Sequence, residues 1–423
     1  MLEVRLEGEN IDPKKVRDEL RRWLDGLEAR PRKVLLLPPD YTRFHSMAGM
    51  ITSILYRMLA PACRVEIMPA LGTHFPMTDD EKEKMFGREI PPDCFVDHDW
   101  RREIVKIGEV PADYVAQVSG GLVRYPIDLE VNRRLMDKDY DLIISIGQVV
   151  PHEVVGMANY SKNIFVGCGG KDIINKSHFL GAAYGMERIM GRDGSPVRKV
   201  FDYAEEKFLA DMPLRYILTV TTTEAGTTRL NGLYAGRSRR LFEDAVRLSQ
   251  RLNLNLLDEP LRKVVVYLDP GEFKSTWLGN KAIYRTRMAL ADRGELIVLA
   301  PGLKQFGEDG AIDALIRKYG YLGSKRLLQL VEEETDLRNN LSAAAHMIHG
   351  SSEGRFTICY APGGLSREEI ERANFQYLPL TETAKRYDPS RLRDGFNTMP
   401  DGEEIFFISN PALGLWALRE KFR

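Results

Sequence analysis

The sequence predicts an α/β protein of two α/β domains with mainly parallel sheets and an interdomain active-site cleft. Three observations carry that expectation. Short apolar runs of strand length alternate with stretches whose apolar residues recur at helical spacing, the pattern of strands joined by crossover helices. Several of these runs stop at Pro- or Gly-containing turns, where chemistry-bearing residues follow at once. The chain has 423 residues, more than one hydrophobic core usually holds.

Residues 33–38, Lys-Val-Leu-Leu-Leu-Pro, read as a buried strand closed by Pro38-Pro39-Asp40. Ser46 then stands where it can cap a helix carrying Met50, Ile51, Ile54, Leu55, Met58 and Leu59 on one face. Residues 64–70 form a second strand, followed by Leu71-Gly72-Thr73-His74, and residues 141–146 a third, followed by Gly147-Gln148-Val149-Val150-Pro151-His152. Ligands of parallel sheets collect beyond the carboxyl ends of the strands, which is where Asp40, His74 and His152 fall. The segment 253–260, ending in Pro260, divides a first domain over 1–258 from a smaller second domain over 262–405. In the second domain, 262–268 and 294–302 read as strands, 281–293 as a helix, and 355–360 as a strand ending in Ala361-Pro362-Gly363-Gly364. A last helix over about 411–423 is expected to pack back on the first domain.

Lys plus Arg number 60 and Asp plus Glu 61, a formal net charge of −1, and the charges are interspersed. That balance excludes a counterion-driven nucleic-acid binder and a basic membrane-surface protein. Cys63, Cys94, Cys168 and Cys359 lie far apart with no Cys-x-x-Cys pair, so a disulfide scaffold and a zinc ribbon are both disfavoured and free thiols in a reducing cytosol expected. No apolar run approaches a membrane span and the N-terminus has no apolar signal region, which points to a cytoplasmic protein.

Some motifs fail. Gly167-Cys168-Gly169-Gly170-Lys171-Asp172 resembles a phosphate loop, but a Walker loop needs Gly where Phe165 stands and Ser or Thr where Asp172 stands. The dinucleotide fingerprint also fails at Asp172, which disfavours a nicotinamide oxidoreductase, and no His-Glu-x-x-His or Gly-x-Ser-x-Gly is present. What remains is a set of histidines: His74 and His152 after strands, and His178 past the glycine run, with Lys162 ten positions after His152 and sixteen before His178. Imidazole suits proton transfer near neutral pH and ligation of borderline metals. Any one of these alone is most simply a turn histidine bonded to backbone; together they invite either a His-ligated metal hydrolase using His74, His152, His178 and Asp40, or proton transfer in an enzyme, with a non-catalytic binding protein as the alternative.

Taken with Asp40-Tyr41-Thr42-Arg43 and Leu71-Gly72-Thr73-His74-Phe75-Pro76-Met77, the His152, Lys162 and His178 spacing resembles the nickel-pincer nucleotide-dependent lactate racemase family, LarA. The stretch Asn280 to Arg287, running into 294–302, is similar to that family's C-terminal domain. The resemblance implies an isomerase, a 2-hydroxy acid racemase or 2-epimerase. It implies a pyridinium-3,5-bisthiocarboxylic acid mononucleotide nickel cofactor covalently linked to Lys162, with His178 as the protein's nickel ligand. It makes His74 and His152 the acid/base pair on opposite faces of the substrate while hydride passes reversibly between C2 and the cofactor. Arg43 would bind the substrate carboxylate through its planar fork, and Asp40 and Thr42 would serve the cofactor or orient a histidine. The family further implies separate cofactor-biosynthesis proteins, so an ordinary expression host is expected to yield protein without the cofactor.

The chain departs from the family in two places. Tyr160, before the lysine, replaces a small residue and is expected to reshape the pocket. Arg285-Thr286-Arg287-Met288 stands where lactate-acting members place Gln and Lys. Arg285 and Arg287, with Asn339, Asn340 and His346, therefore suggest a polar pocket for a larger 2-hydroxy acid such as a sugar acid, with lactate itself as the alternative.

Overall fold

A computed structural model describes residues 3–224 and 226–422. The chain folds as two compact α/β units, one of 1–180 with 189–253 and one of 181–188 with 254–423. Among the described residues, no helix is long and apolar enough to cross a membrane.

The first unit is built on six strands: β1 (Val4–Glu7), β2 (Lys33–Leu37), β3 (Arg64–Ile67), β4 (Leu142–Gln148), β5 (Leu214–Glu224) and β6 (Thr227–Gly236). Their order across the sheet is β1-β6-β5-β4-β2-β3. The pairs β2/β3, β2/β4 and β4/β5 are parallel, while β5/β6 and β1/β6 are antiparallel. Val34, Leu35, Leu36, Leu37, Ile144 and Ile146 are inaccessible to solvent, as strands covered on both faces must be. Because β2, β3 and β4 run the same way, the segments that follow them all emerge at one edge of the sheet. Leu37 pairs with Ser145 and Leu36 with Ile67, so Asp40, His74 and His152 come off strands in close register.

The second unit carries β7 (Leu261–Tyr267), β8 (Leu290–Ala300), β9 (Thr357–Pro362), β10 (Gln376–Tyr377), β11 (Gly395–Thr398) and β12 (Glu404–Ile408), in the order β10-β9-β8-β7-β12-β11. Only the β11/β12 pair is antiparallel. The fold class is thus the expected one, α/β with mainly parallel sheets.

Two local expectations give way. The helix expected over 281–293 ends at Thr286, and Leu290 already belongs to β8, paired with Leu261; Arg293 takes a left-handed φ of 64° before Gly294. The helix expected over 411–423 is instead a strand, Leu415–Leu418, parallel to Leu254–Leu257 in the second unit. A four-residue apolar run has too short a period to separate helix from strand, and the open backbone edge at Leu254–Leu257 decides it.

Candidate functional site

The first unit gathers Asp40, Arg43, His74, His152, Lys162 and His178. After β2, Asp40 caps the 3-10 turn Tyr41–Ser46, accepting from Thr42 N at 3.0 Å and from the Thr42 hydroxyl. Its other oxygen, Oδ2, lies 2.6 Å from His74 Nδ1. Asp40 is buried, which alone would raise its carboxyl pKa; the His74 hydrogen bond and charge, the Thr42 hydroxyl and the nearby Arg43 outweigh that and hold it below the usual range. An ionised Asp40 must accept, so His74 donates from Nδ1 and leaves Nε2 as a lone-pair base. His74 itself is solvent-exposed.

His152 belongs to a small hairpin, Pro151–His152 with Gly156–Met157, and is buried. Its Nδ1 accepts the N–H of Val154 at 3.2 Å, which puts the proton of the neutral ring on Nε2. Burial pushes its pKa well below the ordinary value; Glu153 opposes this, while the charges of Lys162, Arg43 and His178 add to it. At neutral pH His152 is therefore a neutral donor.

Lys162 opens a π-helical turn, Asn163–Gly167, anchored by Asn163 Nδ2 donating to Leu37 O at 3.1 Å and Ser145 Oγ at 2.9 Å. Burial and Arg43 lower the Lys162 amine to about 8, against Glu153 and Asp40, so an appreciable fraction is unprotonated near neutral pH. Gly169 closes the turn where a Cβ would meet Phe165 O at 1.9 Å, so the glycine run serves close packing as well as the turn. The helix Lys171–Tyr184 then carries His178, whose Nδ1 donates to Ile174 O at 2.6 Å. That bond leaves Nε2 as an open lone pair, and burial, reinforced by Lys162, lowers His178 to about 4 and keeps the ring neutral. Neutral imidazole locked at Nδ1 is the form that ligates a metal through Nε2.

Among the described residues, no three His, Cys, Asp or Glu side chains are grouped to hold a metal ion. The proposed quartet of His74, His152, His178 and Asp40 therefore does not form a protein-only zinc cage. All four cysteines are free, and burial pushes Cys168 up to about 12, an inert thiol.

Other expected residues have different occupations. Thr42 spends its hydroxyl on Asp40. Tyr160 does not reshape a pocket: its ring is buried against Tyr216 and Phe242, at 4.3 and 5.1 Å between centroids. Arg285 is buried in the second unit. Arg287 donates to Glu187 at 3.2 Å and to the carbonyls of His349 and Ser351 at 3.1 Å each, a packing role in place of the expected substrate contact. Asn340 caps the helix Leu341–His349, and His346 lies 2.9 Å from both the Tyr284 and Tyr321 hydroxyls. With Arg287, Asn340 and His346 so engaged, the polar-pocket argument for a sugar acid loses three of its five residues.

Sequence reasoning overlooked Glu153, 3.9 Å from His152 Nδ1, although it directly follows that histidine. It also overlooked His98, which bonds Gly169 O at 3.1 Å and Asn132 Nδ2 at 3.0 Å behind the glycine turn. A hollow of about 400 Å³ beside the Tyr41–Ser46 turn is lined by Phe44, Met47, Met50, Met85 and Arg57 among others. Its lining offers no imidazole or carboxylate, so the chemistry is assigned to the His74–Lys162 group.

Comparison with known proteins bears on the family and the fold. Residues 21–188 match the family model of the lactate racemase N-terminal domain. A lactate racemase from Lactiplantibacillus plantarum is 28% identical over 162 residues, 37% of this chain. The chain thus spans about a third (34%) of that relative's length in the match. Among solved structures, a Thermotoga maritima protein superposes with a TM-score of 0.83 at 24% identity, covering 98% of this chain and 100% of the other. The lactate racemase apoprotein of Thermoanaerobacterium thermosaccharolyticum superposes with a TM-score of 0.68 at 16% identity, covering 95% and 92%.

Proposed function

We propose that the chain, whose residues 21–188 match the lactate racemase N-terminal domain model, is a LarA-like 2-hydroxy acid racemase or 2-epimerase. The observation that carries the reading is one group of residues in the first unit. It combines two strand-end histidines with oppositely placed ring protons, a low-pKa lysine, and a histidine whose Nε2 is open.

The donor set fits a lysine-tethered nickel-pincer nucleotide. Lys162 has the unprotonated amine fraction that an acyl-type link requires, and His178 presents a neutral nitrogen donor of the kind that suits nickel(II). When bound, that group supplies reversible hydride acceptance from substrate C2.

The remaining work falls to the chain's own side chains. Arg43 pairs with the substrate carboxylate in a planar fork. His74, oriented by Asp40, takes the proton of the C2 hydroxyl at Nε2 as C2 becomes planar. His152, having taken up a second proton from solvent as the anionic substrate binds, returns one from Nε2 to the substrate oxygen when C2 is rebuilt on the opposite face and ends neutral. One base reaches one face only, so inversion needs both rings. After a turnover the two rings have exchanged protonation states, which readies the site for the opposite enantiomer.

Intact-mass and nickel analysis of protein made alongside the cofactor-building proteins tests the reading. A mononucleotide-sized adduct on Lys162 with bound nickel, and racemisation of at least one of lactate, malate, phenyllactate or gluconate, is expected. Full activity in Lys162→Ala would refute it.

A further inference from the structure

Residues 155–161 lead into Lys162, and the first turn of the helix Pro196–Phe208 holds them. Ser195 caps that helix, its Oγ accepting from Arg198 N at 3.0 Å, and the same hydroxyl donates to Val155 O at 2.8 Å. The Arg198 guanidinium donates from Nη2 to Met157 O at 2.8 Å and Asn159 O at 3.1 Å, and from Nη1 to Ser161 Oγ at 2.8 Å. Every second residue from 155 to 161 is gripped by one serine and one arginine. Asp202, on the same helix, accepts from the Ser161 hydroxyl at 3.3 Å, and the Phe242 ring backs the guanidinium at 4.4 Å.

Arg198 is inaccessible to solvent, and its hydrogen bonds go to two carbonyls and a hydroxyl, with the charges of Asp202 and Asp193 acting on it from further off. Burying a cation against neutral acceptors is costly and gains the core nothing by itself. What it holds is an unusual backbone. Asn159 and Tyr160 are consecutive residues at positive φ, 67° and 57°, a region Asn tolerates and Tyr avoids. Such a conformation persists only where its surroundings over-determine it. Gly147 makes room for it, since a Cβ there would meet Asn159 Nδ2 at 2.1 Å.

We propose that Arg198 is a positioning residue for Lys162: its buried fork fixes the backbone of residues 157–161 and so sets where the Lys162 amine stands. The inference rests on the reading of Lys162 as the amine that takes the cofactor. Arg198 also acts on that amine through space. The charges facing Lys162 are Arg43 and Arg198, which favour its neutral form, and Glu153 and Asp40, which oppose them; His152 and His178 are its titratable neighbours. Lysine at 198 would keep the charge but lose the two-armed grip.

The test uses full-length apoprotein and trace acetic anhydride, with Lys162 acylation read by peptide mass spectrometry across neutral to alkaline pH, beside hydrogen exchange of the amides of 157–163. In the wild type, Lys162 is expected to acylate with an inflection near 8 and those amides to be as protected as β4. Arg198→Gln should move the inflection upward and speed exchange about tenfold or more, the loss expected for charge-assisted hydrogen bonds. Arg198→Lys should speed exchange while leaving the inflection low. Wild-type profiles in both variants would overturn the proposal and leave the tether reading standing. Rapid exchange of 157–163 in the folded wild type would overturn it without any variant. An ordinary surface-lysine profile for wild-type Lys162 would overturn the tether reading instead.

Discussion

His152 and His178 are hydrogen-bonded at the same ring nitrogen in opposite senses: Nδ1 of His152 accepts from Val154 N–H, and Nδ1 of His178 donates to Ile174 O. Two imidazoles in one site, one buried and one half-buried, are thereby given different chemistry by backbone groups two and four residues away. One presents a proton at Nε2, the other a lone pair.

This division predicts a split in the histidine variants. His178→Ala should lower nickel retention through dialysis, by about 10- to 100-fold if it behaves as other metal-site losses do. His152→Ala and His74→Ala should each abolish racemisation with nickel still bound. Metal analysis beside activity checks it, and loss of metal in the latter two but not the first would reverse the assignment.

Asp40→Asn should leave the fold intact and reduce turnover by about 100-fold or more, because an amide no longer demands the Nδ1 proton of His74. The effect should fall on kcat more than on KM. Asp40 also bears on stability. Its folded pKa lies below the unfolded value, so it contributes stability above the unfolded pKa of about 3.9, lost as pH falls through the folded one. Acid titration of unfolding should show that loss shrink in Asp40→Asn.

Lys162 costs stability where Asp40 contributes it, though both make stability rise with pH. Its folded pKa of about 8 lies below the ordinary lysine value, so between about 8 and 10.4 the unfolded chain binds the proton and the folded one does not. Stability of the apoprotein should therefore rise with pH across that window. Lys162→Met should be more stable than wild type at neutral pH, by up to about 3 kcal/mol, with the gap closing as pH rises. Urea melts at several pH values measure it, and a constant gap would contradict the assigned cause.

Arg43→Lys should raise KM by about 10-fold and Arg43→Ala by more, with kcat less affected, since a fork to a carboxylate is worth about 1.5–3 kcal/mol. Arg287→Ala should do the reverse: it should destabilise the second unit by about 1–3 kcal/mol by unpairing the His349 and Ser351 carbonyls, Glu187 keeping Arg355 and Lys421, and leave substrate KM unchanged. A large KM change in Arg287→Ala would restore the residue to substrate binding.

The sheet edge and its histidines were legible because parallel strands announce their ends. Asp40, His74 and His152 each follow an apolar run within a few residues, and parallel pairing then brings them to one edge. Arg198 was not legible. It is one of 60 basic residues, and its partners are backbone carbonyls and a hydroxyl 37 to 41 positions upstream, which leave no mark in the sequence. Arg287 misled for a related reason: a polar side chain beside a helix looks the same whether it will face a ligand or a half-buried glutamate. The strand Leu415–Leu418 was hidden by brevity, its identity residing in a partner at Leu254–Leu257.

The segment 181–188 interrupts the first unit and belongs to the second. Its Glu187 waits for Arg287, Arg355 and Lys421, which lie 100, 168 and 234 residues further along. During synthesis on the ribosome, the second unit must therefore remain incomplete until almost the whole chain has emerged, with an acidic anchor laid down long before its cations. Nor can a fragment starting at Leu254 reproduce that unit, since eight of its residues would have been left behind.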